Sequence, residues 1–251
     1  MKLKVIIPKI SLIIILFFSV AISAQKKAIK VLFVGNSFTY YNNLPQVVSA
    51  MAKSQGLIID TRHSTVGGSS LQNHWKSQKG AQTRKMIENG NWDYVVFNNH
   101  SLSTIKTPKT FLKFSKKFAD LVRKKGAEPV FMMTWAYKSN PLMLPTIISM
   151  YKELSKLTNS DYVPCGSLFA NAMKYRPNLE LFHDDKHPSP NGTYLLGLAF
   201  YKYFTKQSTA KIPNNVVSKD RNDQEFYLIF THQKDADFLQ QIVDEFPFKT
   251  R

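Results

Sequence analysis

Short apolar runs alternate along this chain with longer segments whose apolar residues recur at spacings of three and four. Ile29-Lys30-Val31-Leu32-Phe33-Val34 is a β-branched run closed by Gly35-Asn36 and predicts a buried strand. Leu44, Val47, Val48 and Met51 then place one apolar face on a helix from Leu44 to Ser54. Leu57 to Ile59 predicts a second strand, Gly67-Gly68 a turn, and the polar stretch from Trp75 to Glu88 a helix. Further strands are expected at Tyr94-Val95-Val96-Phe97, Pro129 to Thr134 and Tyr162-Val163. Between and after them, helices are expected over Phe111 to Val122, Leu144 to Leu157 and Asn191 to Phe204. Strands that alternate with helices, most of them apolar throughout, imply an α/β fold with a parallel sheet covered on both faces. Ligands of such sheets sit beyond the C-terminal ends of the strands.

The two ends of the chain differ from this middle. Lys2, Lys4 and Lys9, the apolar run Ile10 to Ile22, and Ala21-Ile22-Ser23-Ala24 together have the layout of a cleavable signal peptide over residues 1–24, with Gln25 as the new N-terminus. An uncleaved anchor is the alternative, but the run is short for a membrane span. No cysteine follows it, which argues against a lipidated form, and no later stretch has the length and apolarity of a span. The expected location is therefore the periplasm or the exterior. Residues 25–206 form the expected domain. From Ser208 to Gln224 the composition turns polar and reads as a linker or surface excursion. Beyond it, Phe238, Leu239, Ile242, Val243 and Phe246 form a stripe that fits a helix docked back on the domain, or else a partner-binding helix.

The full chain has 34 Lys and Arg against 17 Asp and Glu, a net charge of +17. Removing residues 1–24 takes three of those lysines and no acid, leaving +14. The basic residues are scattered (Lys26, Lys27, Lys116, Lys117, Arg123) rather than gathered with aromatics in one stripe, which argues against nucleic acid. An anionic polysaccharide or envelope polymer fits an exported basic protein better; simple colloidal solubility explains the charge equally well. Cys165 is the only cysteine, so no intramolecular disulfide forms, and its place after a strand-like run predicts a buried small hydrophobe.

Two clusters carry candidate chemistry. Ser37 follows the first strand directly, in Gly35-Asn36-Ser37-Phe38, where it is either a helix cap or a nucleophile. In His183-Asp184-Asp185-Lys186-His187-Pro188, Asp184 stands three residues before His187. That spacing lets a carboxylate accept a hydrogen bond from Nδ1–H and leave Nε2 to act on a serine, which needs such a base to attack.

The order Ser37, Asp184, His187, with the last two almost adjacent, resembles the SGNH (GDSL-like) hydrolases. Gly35-Asn36-Ser37 resembles their first block, with Asn36 where Asp is usual, and Asp184-Asp185-Lys186-His187-Pro188 resembles their last. Gly67-Gly68-Ser69-Ser70 resembles the second block, which implies an oxyanion-facing N–H at Gly68. The third block departs. Where the family reads Gly-x-Asn-Asp, this chain reads Asn98-Asn99-His100-Ser101, so strict register puts His100 at the donor position and a shifted loop puts Asn98 or Asn99 there. The oxyanion hole implied is Ser37, Gly68 and His100, with Asn99 behind His100. The resemblance spans roughly residues 30–203. It implies a three-layer, flavodoxin-like fold with about five parallel strands, no metal or organic cofactor, and a small ester or an acetylated polysaccharide as substrate. Tyr40, Tyr41, Trp75 and Trp135 are candidates for a sugar-stacking floor.

Three rivals remain at this level. His183 and His187, at i and i+4, have zinc-binding spacing, although Pro188 interrupts a helix and no third ligand lies nearby. An α/β-hydrolase shares the order of the triad but wants Gly-x-Ser-x-Gly, and Thr39 fills the last position. A non-catalytic carbohydrate-binding protein on the same fold is the third.

Overall fold

The computed structural model describes residues 28–248. The predicted signal peptide and its cleavage site lie outside the described residues. Strand β1 (Ile29–Gly35) leads into α1 (Ser37–Tyr40), a short 3-10 turn and α2 (Leu44–Ser54). β2 (Ile59–Thr65) is followed by α3 (Leu71–Trp75) and α4 (Thr83–Asn89), and β3 (Tyr94–Phe97) by α5 (Ser103–Lys106) and α6 (Pro108–Lys124). β4 (Glu128–Met132), α7 (Leu144–Thr158), β5 (Asp161–Val163), α8 (Cys165–Tyr175) and α9 (Pro190–Thr205) complete the alternation.

The five strands form one parallel sheet in the order β2-β1-β3-β4-β5. This is the flavodoxin-like order, in which the chain reverses direction across the sheet between β1 and β3. Period-two alternation divides β1 between the two layers: Val31 and Phe33 pack with α2, α8 and α9, whereas Leu32 and Val34 pack with α3, α4, α6 and α7. All four are fully buried, which is why β1 reads as an unbroken apolar run.

The departures from the sequence reading have local causes. β2 runs on to Thr65, six residues beyond the predicted end, as a half-exposed edge strand, so its outer residues (Asp60, Arg62, His63) are polar. Of the helix expected from Trp75 to Glu88 only the part from Thr83 forms, as α4: α3 ends at Trp75, and Ser77 (φ 52°) and Lys79 (φ 54°) are left-handed between the two. The Ser208–Gln224 stretch and the residues after it hold an antiparallel hairpin, β6 (Asn215–Lys219) with β7 (Glu225–Phe230), whose Val216 and Ile229 are buried against the α2/α9 layer. The last helix, α10 (Gln233–Glu245), buries Leu239, Ile242 and Val243. Gln240 Nε2 ties it to Tyr194 Oη at 2.8 Å and to the Ile212 carbonyl at 2.7 Å. Among the described residues no helix is long and apolar enough to cross a membrane.

Candidate active site

Block one and block three meet where the sheet order reverses. Gly35 ends β1 against its neighbours: a Cβ there would stand 2.6 Å from Thr39 Oγ1 and 2.7 Å from Asn98 Oδ1, closer than side chains approach. Asn36 then caps α1, its Oδ1 accepting from Phe38 N at 3.0 Å. Its Nδ2 donates to the carbonyls of Ser69 (3.0 Å) and Asn99 (3.2 Å), so one buried amide joins the first block to the second and third. A carboxylate could not make those two bonds, which gives Asn36 a physical reason to stand where the family has Asp.

Ser37 is the first residue of α1, and its Oγ lies 2.9 Å from His187 Nε2. His187 Nδ1 lies 2.7 Å from Asp184 Oδ2. An ionised carboxylate only accepts, so Nδ1 carries the proton, Nε2 is the acceptor, and the Ser37 hydroxyl donates to it. Asp184 Oδ1 accepts from the backbone N–H groups of Lys186 (2.8 Å) and His187 (2.7 Å). Desolvation pushes the Asp184 carboxyl up, but the hydrogen bonds from the His187 ring and from these two amides, with the His187 charge, outweigh it and hold the group well below the usual carboxylate range.

The turn bearing Asp184 and His187 is fastened at both ends. At its base, His183 N donates to His187 O at 2.8 Å and Ser189 N to Leu181 O at 3.0 Å. Trp135 Nε1 donates to Lys186 O at 2.8 Å. The Trp135 ring is stacked between Phe38 (4.5 Å) and Phe169 (4.7 Å). Phe38 belongs to the helix that Ser37 begins, so the stack couples serine and histidine through the core. Asp185 faces away, both of its oxygens accepting from Ser139, at 2.8 Å from N and 2.9 Å from Oγ.

Asn98 is fully committed to structure: its Oδ1 accepts from Asn36 N and Thr39 Oγ1, and its Nδ2 donates to Asn99 O. The Asn99 Oδ1 accepts from Leu71 N, His100 N and Ser103 Oγ. His100 is half-buried, and its Nδ1 accepts from Leu102 N at 3.3 Å, which puts the proton of a neutral ring on Nε2. Burial, and then the charges of Lys186, Lys79 and Lys106, lower its pKa and keep it neutral. Gly68, at φ +61°, occupies the left-handed turn of the second block.

Several expectations change. Trp135 is 1 % exposed and cannot form a sugar floor. Trp75 packs edge-on against Phe118, beneath Arg84 and Lys117. Tyr40 is 41 % exposed, and Tyr41 lies flat on the His187 ring. His183 and His187 do not converge: both His187 nitrogens are engaged, and the His183 ring meets Tyr41 at 5.7 Å. Among the described residues no group of three or more His, Cys, Asp or Glu is placed to hold a metal. Cys165 is buried, which pushes its thiol pKa up.

His74 went unnoticed in the sequence. Fully buried, it sets Nε2 2.9 Å from the Gly35 carbonyl and 2.7 Å from Ser69 Oγ, and Nδ1 2.6 Å from Thr83 Oγ1, beneath the turn that carries Ser37. Nothing in Gln72-Asn73-His74-Trp75 announces this, because its partners come from three other segments.

The architecture recurs in solved structures. A DUF4886 family protein from Bacteroides uniformis superposes with a TM-score of 0.69 at 19% identity over 86% of this chain and 93% of its own. A proposed SGNH hydrolase from Slackia heliotrinireducens (TM-score 0.61, 22% identity) covers 71% of this chain and 100% of its own. The chain adopts the SGNH hydrolase fold. An acetyl xylan esterase has this fold too, with a TM-score of 0.58 at 16% identity over 70% of this chain and 99% of that enzyme. No protein-family model and no curated protein matches the sequence itself. In this SGNH fold, Ser37 follows β1 and the third-block residues follow β3, on the two sides of the reversal in strand order.

Proposed function

We propose that the protein is a serine ester hydrolase working through an acyl-enzyme. The observation that carries this reading is the unbroken hydrogen-bond chain from Ser37 Oγ through His187 to Asp184. His187 Nε2 takes the hydroxyl proton as Ser37 Oγ attacks the ester carbonyl, and Asp184 stabilises the imidazolium that forms. The charge that develops on the carbonyl oxygen is met by the N–H of Ser37, which as the first helical residue has no intrahelical acceptor, by the N–H of Gly68, and by His100 Nε2–H. The imidazolium then protonates the departing alcohol. Water, activated by the same nitrogen, releases the acid and restores Ser37.

The substrate is a short-chain ester, acetyl by preference, with carbohydrate as the candidate carrier of the acetyl group. The acetyl xylan esterase of the same fold supports that choice, as do the basic charge and the absence of any long apolar sequence beside Ser37. The leader-like residues 1–24 support action in the periplasm or outside the cell. The expected outcome is that hydrolysis of nitrophenyl acetate survives dialysis against EDTA and that Ser37→Ala lowers kcat on the order of a millionfold. Near-wild-type turnover by Ser37→Ala overturns the reading. His100→Ala lowers kcat roughly a hundredfold; the same loss in Asn99→Ala, with His100→Ala unaffected, moves the donor to Asn99.

A further inference from the structure

The link between α1 and α2 holds two consecutive non-glycine residues in the left-handed region, Asn42 at φ 47° and Asn43 at φ 54°. Side chains resist this conformation, although asparagine tolerates it better than most. Asn42 has a compensating role. Its Nδ2 donates to Pro188 O at 3.1 Å and to Thr193 Oγ1 at 2.9 Å, so the link is strapped to the residue after His187 and to the buried first turn of α9. The strap lays the residue before it, Tyr41, on the imidazole: the Tyr41 and His187 rings stack at 4.6 Å between centroids and 14° between planes. Phe38 meets the same imidazole edge-on at 5.8 Å.

This placement answers a weakness in the site. The two hydrogen bonds to His187 lie in its ring plane, and the Asp184 side chain is 46 % exposed, so they resist tilting poorly. We propose that Tyr41, held by the Asn42 strap, is a positioning residue that fixes the plane of the His187 imidazole between Ser37 and Asp184. Its ring face also stabilises the imidazolium formed when Ser37 loses its proton. The inference rests on the reading of His187 as the base. The other charged or titratable groups around the imidazole are Asp184, Asp185, Lys186 and His183 on its own turn. Asp185 is bonded to Ser139, Lys186 Nζ lies over Tyr137 at 5.8 Å, and on the Trp135 side Lys138 pairs with Glu180 at 3.2 Å.

The test compares Tyr41→Phe, Tyr41→Leu and Asn42→Gly in the whole protein. Asn42→Gly keeps the left-handed backbone accessible and removes only the strap's two hydrogen bonds. Tyr41→Leu lowers kcat ten- to a hundredfold with KM within about twofold, the cost of a misaligned base. Tyr41→Phe stays near wild type, and Asn42→Gly falls between. The NMR signals of the His187 ring protons, assigned by their loss in His187→Ala, move downfield in Tyr41→Leu, where the ring current of the stacked phenol is lost, and stay in place in Tyr41→Phe. This second readout needs no turnover, so it separates failure of the strap from failure of the esterase reading. A higher KM with unchanged kcat and unchanged ring-proton shifts makes Tyr41 a substrate platform and overturns the proposal. So does a Tyr41→Phe variant as impaired as Tyr41→Leu, or a Tyr41→Leu variant that changes nothing.

Discussion

Two stretches of this chain look alike in composition and behave differently. Residues 183–188 and residues 208–224 are both polar, charged and short of apolar residues, the second leading into the apolar strand β7. In the first, polar groups are spent on one another: Asp184 accepts three hydrogen bonds from within its own turn, and the turn's backbone closes on itself and on Trp135. In the second, a surface hairpin packs Val216 and Ile229 underneath and exposes Phe226, Tyr227 and Phe230 beside its polar residues. Polarity alone therefore does not tell the two apart. Spacing does, because a carboxylate three residues before a histidine can reach its Nδ1 within one turn, as Asp184 does, and no such relation exists in the hairpin.

The sharpest way to break this contrast is inside the first stretch. Asp184→Ala lowers kcat by about ten-thousandfold, since an unoriented imidazole still accepts a proton part of the time. Asp185→Ala, one residue away and bonded to Ser139, stays within a few-fold of wild type in kcat when circular dichroism shows the fold intact. Equal damage from both would mean that the turn acts as a charged patch rather than through one oriented carboxylate.

In the hairpin the same kind of change has the opposite signature. Ile229 is 3 % exposed, so Ile229→Asp buries a charge without a partner and costs on the order of 3 kcal/mol in urea unfolding. The folded fraction keeps its kcat. A loss of kcat in fully folded Ile229→Asp protein would give the hairpin a part in the site.

These contrasts mark what the sequence makes legible. The strands β1, β3 and β4 are read almost to the residue, because their central residues are buried on both faces and apolar, only Lys30 and Glu128 at the strand entries being charged. The edge strand β2 is read only at its start, since its outer face meets water. Helix α8 was not read: its apolar residues follow β5 after Pro164 alone, with no polar loop to mark a boundary. At the candidate site, Ser37, Asp184 and His187 stand out in the sequence because local motifs carry them, and the fold brings the three together. Asn36 as a three-way tie, Tyr41 as a cover for His187, and Trp135 as a brace do not stand out, because each depends on a partner distant in sequence.

His74 belongs to neither stretch and tests the smallest effect, polar pairing with no exposure at all. Burial lowers its pKa, outweighing the upward pull of the Gly35 carbonyl, so the folded protein holds the ring neutral. The unfolded chain protonates a histidine near its ordinary value of 6.5 and therefore binds more protons than the folded state below that pH. Stability from this group is complete above about pH 6.5 and is lost as pH falls toward the folded-state pKa, by at most about 1.4 kcal/mol per pH unit. His100 is shifted in the same direction, so the wild-type curve alone does not isolate His74. The informative quantity is the difference between wild type and His74→Gln in urea unfolding at pH 7.5, 6.5 and 5.5. His74→Gln is less stable at pH 7.5, because its amide does not reproduce the bonds to Gly35 O, Ser69 Oγ and Thr83 Oγ1 together, and the gap narrows as the pH drops. A gap that stays constant from pH 7.5 to 5.5 would show that His74 is not held neutral by the fold, and that its role beneath Ser37 is one of shape alone.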